Sequence, residues 1–392
     1  MEGAMTGDAA NEPSRIGATG VPTRGTRREP DDVRAVLEQW LRASLPGATE
    51  VTVTGVETPE ATGVANETIL CVARLVDDGG EREQGYVVRV APGDFLYKDV
   101  DLSVHAGMYQ ALANVPGVPV PTVVGYEADA SLLGAPFFVM ERIDGQVPPD
   151  TPPFHSEGWV ADLSTAERDR MWRDAVAVLA RLHEVDPRRF PFLARPHLGP
   201  TGLEQEMAYW FDYERWALAG RHEPVIEGGR RWLVDNLPDR RPTELSWGDS
   251  RVGNMMFSDG KVVAVFDWDM VSLAGAQCDL AWWTIMDLLQ TASAGVERLP
   301  GIGSPGDTVR LWQQYTGRDV PDLWWYLVFN AYRMSVILVR LGFLLDSAGA
   351  LPPEHVDELS NNNPGMQYLA SMLGLPHARP LSQPWPGIDY DL

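Results

Sequence analysis

A chain of 392 residues, 44% of them hydrophobic, is long enough for two lobes that each bury a core. Its formal charge of −23 repels phosphate backbones and anionic lipid, so neither a nucleic-acid polymer nor a membrane is expected as a partner, and the acidity reads first as a solubility trait. Its two cysteines, Cys71 and Cys278, stand in no CxxC or zinc-type spacing, which excludes a disulfide framework and points to reduced thiols in the cytoplasm.

Residues 1–30 are rich in Gly, Ala, Thr, Arg and Pro and hold no apolar stretch, so a disordered leader without a signal peptide is expected. Helical periodicity follows: Val33, Leu37, Trp40, Leu41 and Leu45 share one face, and Pro46-Gly47 ends it. The runs 51–56, 68–75 and 86–90 read as strands, split by turn residues such as Asp78-Gly79-Gly80. A helix is predicted over 101–113, with Leu102, Ala106, Tyr109 and Leu112 as its apolar stripe. Phe137-Phe138-Val139-Met140 reads as a buried strand that runs into an extended connector, Glu141-Arg142-Ile143-Asp144-Gly145.

Beyond it the pattern turns helical, over 166–183, 203–219 and 224–237. A hairpin over 255–266 turns at Ser258-Asp259-Gly260. Helices resume over 280–289, 307–315 and 323–345. The last is the most apolar stretch, but Asn330, Arg333 and Arg340 interrupt it, so it is expected to be a core helix. The proline-rich segment 376–392 is expected on the surface. The fold class is therefore α+β, with a mainly β lobe over 31–143, a mainly helical lobe over 144–375 and the tail after it.

The chemistry sits in Trp247-Gly248-Asp249-Ser250-Arg251-Val252-Gly253-Asn254, followed after the hairpin by Phe266-Asp267-Trp268-Asp269. Phosphoryl transfer needs a carboxylate to hold and deprotonate an attacking hydroxyl, and oxygen ligands for the metal that bridges the phosphates. Asp249 can be that carboxylate, and Asn254 follows it at the D-x-x-x-x-N spacing of kinase catalytic loops. The hairpin folds Asp267 back beside Asn254, so the two could share magnesium. Singly, each is also an ordinary turn or cap residue.

These motifs, with Cys278-Asp279-Leu280-Ala281-Trp282 downstream, resemble the aminoglycoside phosphotransferase family, in particular its actinobacterial members with W-G-D-S-R-x-G-N. The resemblance spans about residues 33–345. It implies a two-lobed protein-kinase-like fold, a nucleotide-binding first lobe, ATP or GTP as donor, Mg2+ as cofactor and a hydroxylated small molecule as acceptor. It makes Asp249 the base and Asn254 and Asp267 the metal ligands, and gives Asp279 either a buttressing role under the catalytic loop or a helix cap. Upstream, Thr62-Gly63-Val64-Ala65-Asn66-Glu67-Thr68 resembles the family's turn over the nucleotide phosphates, with Asn66 as a binding residue and Ala65 in place of the usual Ser. Arg89 stands where kinases carry their phosphate-binding lysine. Glu141 and Ile143 lie at the expected hinge, where the adenine meets main-chain groups.

Two departures stand out. His105 occupies the place of the helix Glu that pairs with the basic strand residue, so another acid such as Asp101 would have to substitute, or nucleotide binding is altered. Trp247 replaces a His that shapes the loop. Helical aromatics such as Trp210, Tyr213, Trp282 and Trp325 are expected in the core, some of them lining an acceptor pocket. The expected activity is that of an ATP- and Mg2+-dependent kinase of a small alcohol. The alternative is a nucleotide- or metabolite-binding pseudokinase, motivated by Ala65 and His105. The gap from Asp267 to Asp279 is too short for the peptide platform of a protein kinase.

Overall fold

Alternating apolar residues build the first lobe around a five-stranded antiparallel sheet of order β1-β2-β3-β5-β4. The computed structural model describes residues 29–58, 67–91 and 96–391; the leader through residue 28 and the phosphate turn through Asn66 lie outside them. Helix α1 (Pro30–Ser44) opens with Pro30 in its first turn and Asp31 and Asp32 at the positive end of its dipole, so helix begins inside the last residue of the expected leader. Strands β1 (Ala48–Glu57), β2 (Glu67–Asp77) and β3 (Gly80–Val90) follow, then α2 (Leu102–Leu112), β4 (Val123–Glu127), α3 (Ala130–Leu133) and β5 (Phe137–Glu141). Strand β4 has no place in the sequence reading because every one of its residues is half-buried, which erases the alternation that marks a strand.

The two faces of the sheet serve different cores. Val88, Val90, Phe137 and Val139 pack with Val33, Leu37, Trp40 and Leu41 of α1. Phe138 and Met140 point the other way and join α2 and the helical lobe. The two-residue period of β3 therefore turns Arg89 away from α1, to the α2 face.

The second lobe comprises α4 (Trp159–Asp162), α5 (Thr165–Leu182), α6 (Gly202–Leu218), α7 (Pro224–Asp235), a hairpin of β6 (Met255–Ser258) and β7 (Lys261–Val265), then α8 (Ala276–Gln290), α9 (Pro305–Thr316) and α10 (Leu323–Ser347). The hairpin turns through Asp259 and Gly260, both at positive φ (50° and 74°), as a two-residue turn requires. Helix α10 is long and apolar enough to cross a membrane, yet 72% of its most apolar stretch is buried inside the lobe. Its Arg333 is fully buried, bonded to Asn330 Oδ1 at 2.8 Å and stacked on Trp210 and Trp282.

Two further helices, α11 (Pro353–Asn361) and α12 (Pro364–Leu373), escape sequence periodicity. Only Ser360 of α11 is buried, and α12 is too short to show a stripe. The tail lies on the surface but is sewn down. Trp385 meets Tyr368 edge-on at 5.4 Å, and Asp389 accepts the Gly306 N–H and the Ser304 hydroxyl at the start of α9.

Candidate active site

The loop Ser246–Asn254 is shaped by one buried carboxylate. Asp279, in the first turn of α8, accepts the Trp247 N–H (2.6 Å), the Gly248 N–H (2.8 Å) and the Ser246 hydroxyl (2.8 Å), and faces His183 Nε2 at 2.8 Å. Its main-chain carbonyl takes the Ser250 hydroxyl. Asp279 thus buttresses the loop rather than capping its helix, whose N-cap is Gly275. Gly248 is required in the loop: its φ is +96°, and a Cβ would sit 2.0 Å from the Met270 carbonyl oxygen.

That frame presents Asp249 with both oxygens engaged. Oδ1 accepts the Trp282 indole N–H at 2.6 Å; Oδ2 accepts Asn254 Nδ2 at 2.7 Å and Arg251 Nε at 3.1 Å. Asn254 spends its amide nitrogen on Asp249, and among the described residues no donor takes its Oδ1. The Phe266 N–H bonds the Asn254 carbonyl at 3.2 Å, which sets Asp267 beside that residue, as the hairpin spacing predicts. Trp247 takes up the role of loop shaper: its indole N–H points at the Phe266 and Asp267 carbonyls, each at 3.0 Å. Asp267 itself adopts a left-handed backbone, φ 65°, a conformation that tends to be kept at functional sites.

Burial, with Asp269 and Asp249 nearby, pushes the Asp267 carboxyl up to about 7, although Arg89 and Arg251 pull it back. Asn254 Oδ1 and the Asp267 carboxylate are hard oxygen donors of the kind magnesium takes, alongside phosphate and water. No cluster of three His, Cys, Asp or Glu side chains stands ready for a metal among the described residues.

Across the cleft the arrangement differs from the family pattern. Arg89 bonds the Thr68 hydroxyl at 2.8 Å, not an acid. Asp101 does not substitute for the missing Glu, because it caps α2 by accepting the Ser103 N–H. His105 turns instead to Asp269, with Nε2 at 3.2 Å from Oδ1, and burial lowers its pKa to about 4, so the neutral ring donates to that carboxylate. At the hinge, the Glu141 N–H is spent on the Thr122 carbonyl, while no acceptor among the described residues takes the Ile143 N–H.

Three contributors escaped the sequence reading. Arg251 links Asp249 to Asp150, binding both oxygens of Asp150 at 2.6 Å. Burial alone would weaken that guanidinium, but the two carboxylates outweigh it and hold it above its usual range. Asp269 holds His105, and Tyr97, in the β3–α2 segment, lies in the electrostatic field of Asp249, Asp267 and Asp269. Burial, then Asp249, Asp267 and Asp269, hold the Tyr97 phenol well above its ordinary pKa. Arg251 and Asp269 had a local signal, their places inside the two quoted motifs, and Tyr97 had none.

The sequence pattern of the phosphotransferase enzyme family (APH) matches residues 72–301. Among solved structures, a Ralstonia eutropha JMP134 protein provisionally assigned as an aminoglycoside phosphotransferase superposes with a TM-score of 0.64 at 23% identity, covering 88% of this chain and 99% of that one. A macrolide 2′-phosphotransferase from Brachybacterium faecium gives 0.50 at 16% identity, covering 85% and 99%. APH(2″)-IIia, solved with GDP and kanamycin, gives 0.53 at 16%, covering 83% and 99%. These likenesses show the kinase-like fold. Among curated proteins, acyl-CoA dehydrogenase family member 11 is 30% identical over 206 residues in Homo sapiens (52% of this chain, 25% of that protein). Its Gallus gallus counterpart is 28% identical over 350 residues (84% and 42%). The chain thus spans well under half the length of these curated relatives.

Proposed function

The chain belongs to the phosphotransferase enzyme family, and from that premise we propose that it moves the γ-phosphoryl group of ATP or GTP to a hydroxyl of a small molecule. The observation that carries the reading is Asp249: a carboxylate oriented by Trp282 and Asn254, beside Asp267, in a loop locked by Asp279. In this reading Asp249 Oδ2 accepts the proton of the acceptor hydroxyl as its oxygen attacks. Asn254 Oδ1 and the Asp267 carboxylate would hold magnesium, which when bound neutralises charge on the phosphates. Arg89 faces the cleft from β3 and supplies a bidentate cation to the donor phosphates. Asn66, which lies outside the described residues, would add a contact, and the adenine would lie at the hinge, against the Glu141 carbonyl and the Ile143 N–H. The first lobe then holds the nucleotide and the second the acceptor. The free, buried thiols of Cys71 and Cys278 suit a cytoplasmic setting.

The acceptor panel follows from the relatives. Kanamycin and a macrolide belong in it, as do hydroxylated acyl compounds, because the curated relatives are named acyl-CoA dehydrogenase family members. Magnesium-dependent ADP release is measured across that panel, with Asp249→Asn beside the wild type. The variant is expected to lose about 10²–10⁴-fold in acceptor-dependent turnover while nucleotide still raises its melting temperature. A pseudokinase, favoured by His105 at the helix position, predicts no acceptor-dependent turnover and an unchanged variant.

A further inference from the structure

A second feature opens on the same carboxylates. Next to Trp268 and Asp269 lies a small cleft, lined among others by Tyr97, Asp99, His105, Arg195, Glu206 and Tyr209. Its N-terminal wall, the segment after β3, is pinned to the helical lobe: Tyr213 and Tyr209 donate their hydroxyls to the Leu96 and Lys98 carbonyls at 2.7 and 2.9 Å. Tyr97 is thereby clamped between two fixed carbonyls, and Met270, which also lines the cleft, packs its carbonyl against Gly248, so the cleft and the catalytic loop adjoin.

The charges of the wall are almost all spent. Lys98 pairs with Asp212. Glu206 receives the Trp210 indole N–H at 2.7 Å and lies 3.7 Å from Arg333. Asp269 faces His105, and Asp101 caps α2. Among the described residues the exposed Asp99 is one exception and the half-buried Arg195 the other. The Arg195 main chain is fixed by the Gln205 side chain at 2.8 Å, and its guanidinium stacks on Tyr209 at 4.8 Å, but among the described residues no carboxylate or carbonyl accepts its N–H groups. In a chain with 55 acidic and 32 basic residues, a half-buried arginine without an acid is set aside for something else. A guanidinium held by stacking presents a planar fork of donors that matches a carboxylate or a phosphate.

We propose that this cleft receives the acceptor and that Arg195 binds an anionic oxygen group on it, a carboxylate or a phosphate, so that the alcohol phosphorylated here is itself an acid. The inference rests on the phosphotransferase reading for its direction, because Arg195 would anchor one end of the acceptor while Asp249 meets its hydroxyl. A polycation would meet Arg195 as a like charge.

The test is calorimetric titration of the full chain, loaded with Mg-ADP, using four related probes: glycerate, glycerol 3-phosphate, glycerol and serinol. At least one anion is expected to bind about tenfold or more tighter than glycerol, with serinol weakest. Arg195→Met should erase that preference and Arg195→Lys keep part of it; the anion whose preference is lost identifies carboxylate or phosphate as the group. Anions that bind no tighter than glycerol, or a preference that survives Arg195→Met, overturn the proposal. The Mg-ADP melting shift, expected to be equal in all three proteins, reports fold and nucleotide binding separately. Its absence from the wild type counts against the phosphotransferase reading, while titrations without nucleotide still decide whether Arg195 holds an anion.

Discussion

The two walls of the cleft are built by different logic. On the helical side, Asp249 is positioned by a buried lattice: Asp279 fixes the loop backbone, Trp247 fixes the carbonyls at Phe266 and Asp267, and Trp282, itself stacked under Arg333, fixes the carboxylate. On the sheet side, Arg89 has one hydroxyl partner, and the histidine in the acid's place serves Asp269 instead. Chemistry that depends on sub-ångström placement of a base gains from the first arrangement. A cation that must close on mobile phosphates can function with the second, because the phosphates supply the charge it lacks.

The largest break in that comparison should come from Asp279→Ala. It leaves two buried N–H groups, a hydroxyl and His183 without their acceptor, and should destabilise the protein by about 3–5 kcal/mol, read by urea unfolding. A loss below about 1 kcal/mol would mean that the lattice is not what holds the loop. Next, Arg89→Met should weaken nucleotide binding about tenfold, read by titration with Mg-ADP, while leaving the unfolding midpoint nearly unchanged. Trp247→Phe keeps the packing but removes the indole N–H, and should lower stability by about 1 kcal/mol. If the indole also aims Asp267, turnover should fall further than stability does, and equal losses would assign Trp247 to packing alone. The smallest effect belongs to His105→Gln, which can still donate to Asp269. It should change nucleotide KM by less than about threefold. A tenfold rise would instead show that His105 does the work of the missing acid.

Much of the site could be read locally. The spacing from Asp249 to Asn254 and the hairpin before Asp267 are short-range features, and a hairpin returns its end to its start whatever surrounds it. The helices with clear apolar stripes, α1, α2, α5 and α6, fall within a few residues of their predicted ranges. Strand β4 and helices α11 and α12 do not, since half-buried or short elements carry little periodicity. Asp101 illustrates a different failure. Proximity in sequence made it the substitute partner for Arg89, but the backbone of its own helix claimed its carboxylate first.

The amino-acid sequence by itself determined the two-lobed α+β division, the strongly periodic elements and the loop-and-hairpin spacing from Asp249 to Asp267, because periodicity, turn chemistry and fixed spacings act over a few residues. Only the tertiary structure decided which charges are spent and which are left. The pairing of His105 with Asp269, the bridge from Asp249 through Arg251 to Asp150, and the unclaimed guanidinium of Arg195 each depend on residues brought together across the fold. Hydrogen-bond partners are settled by distance in space, which residue spacing along the chain does not encode.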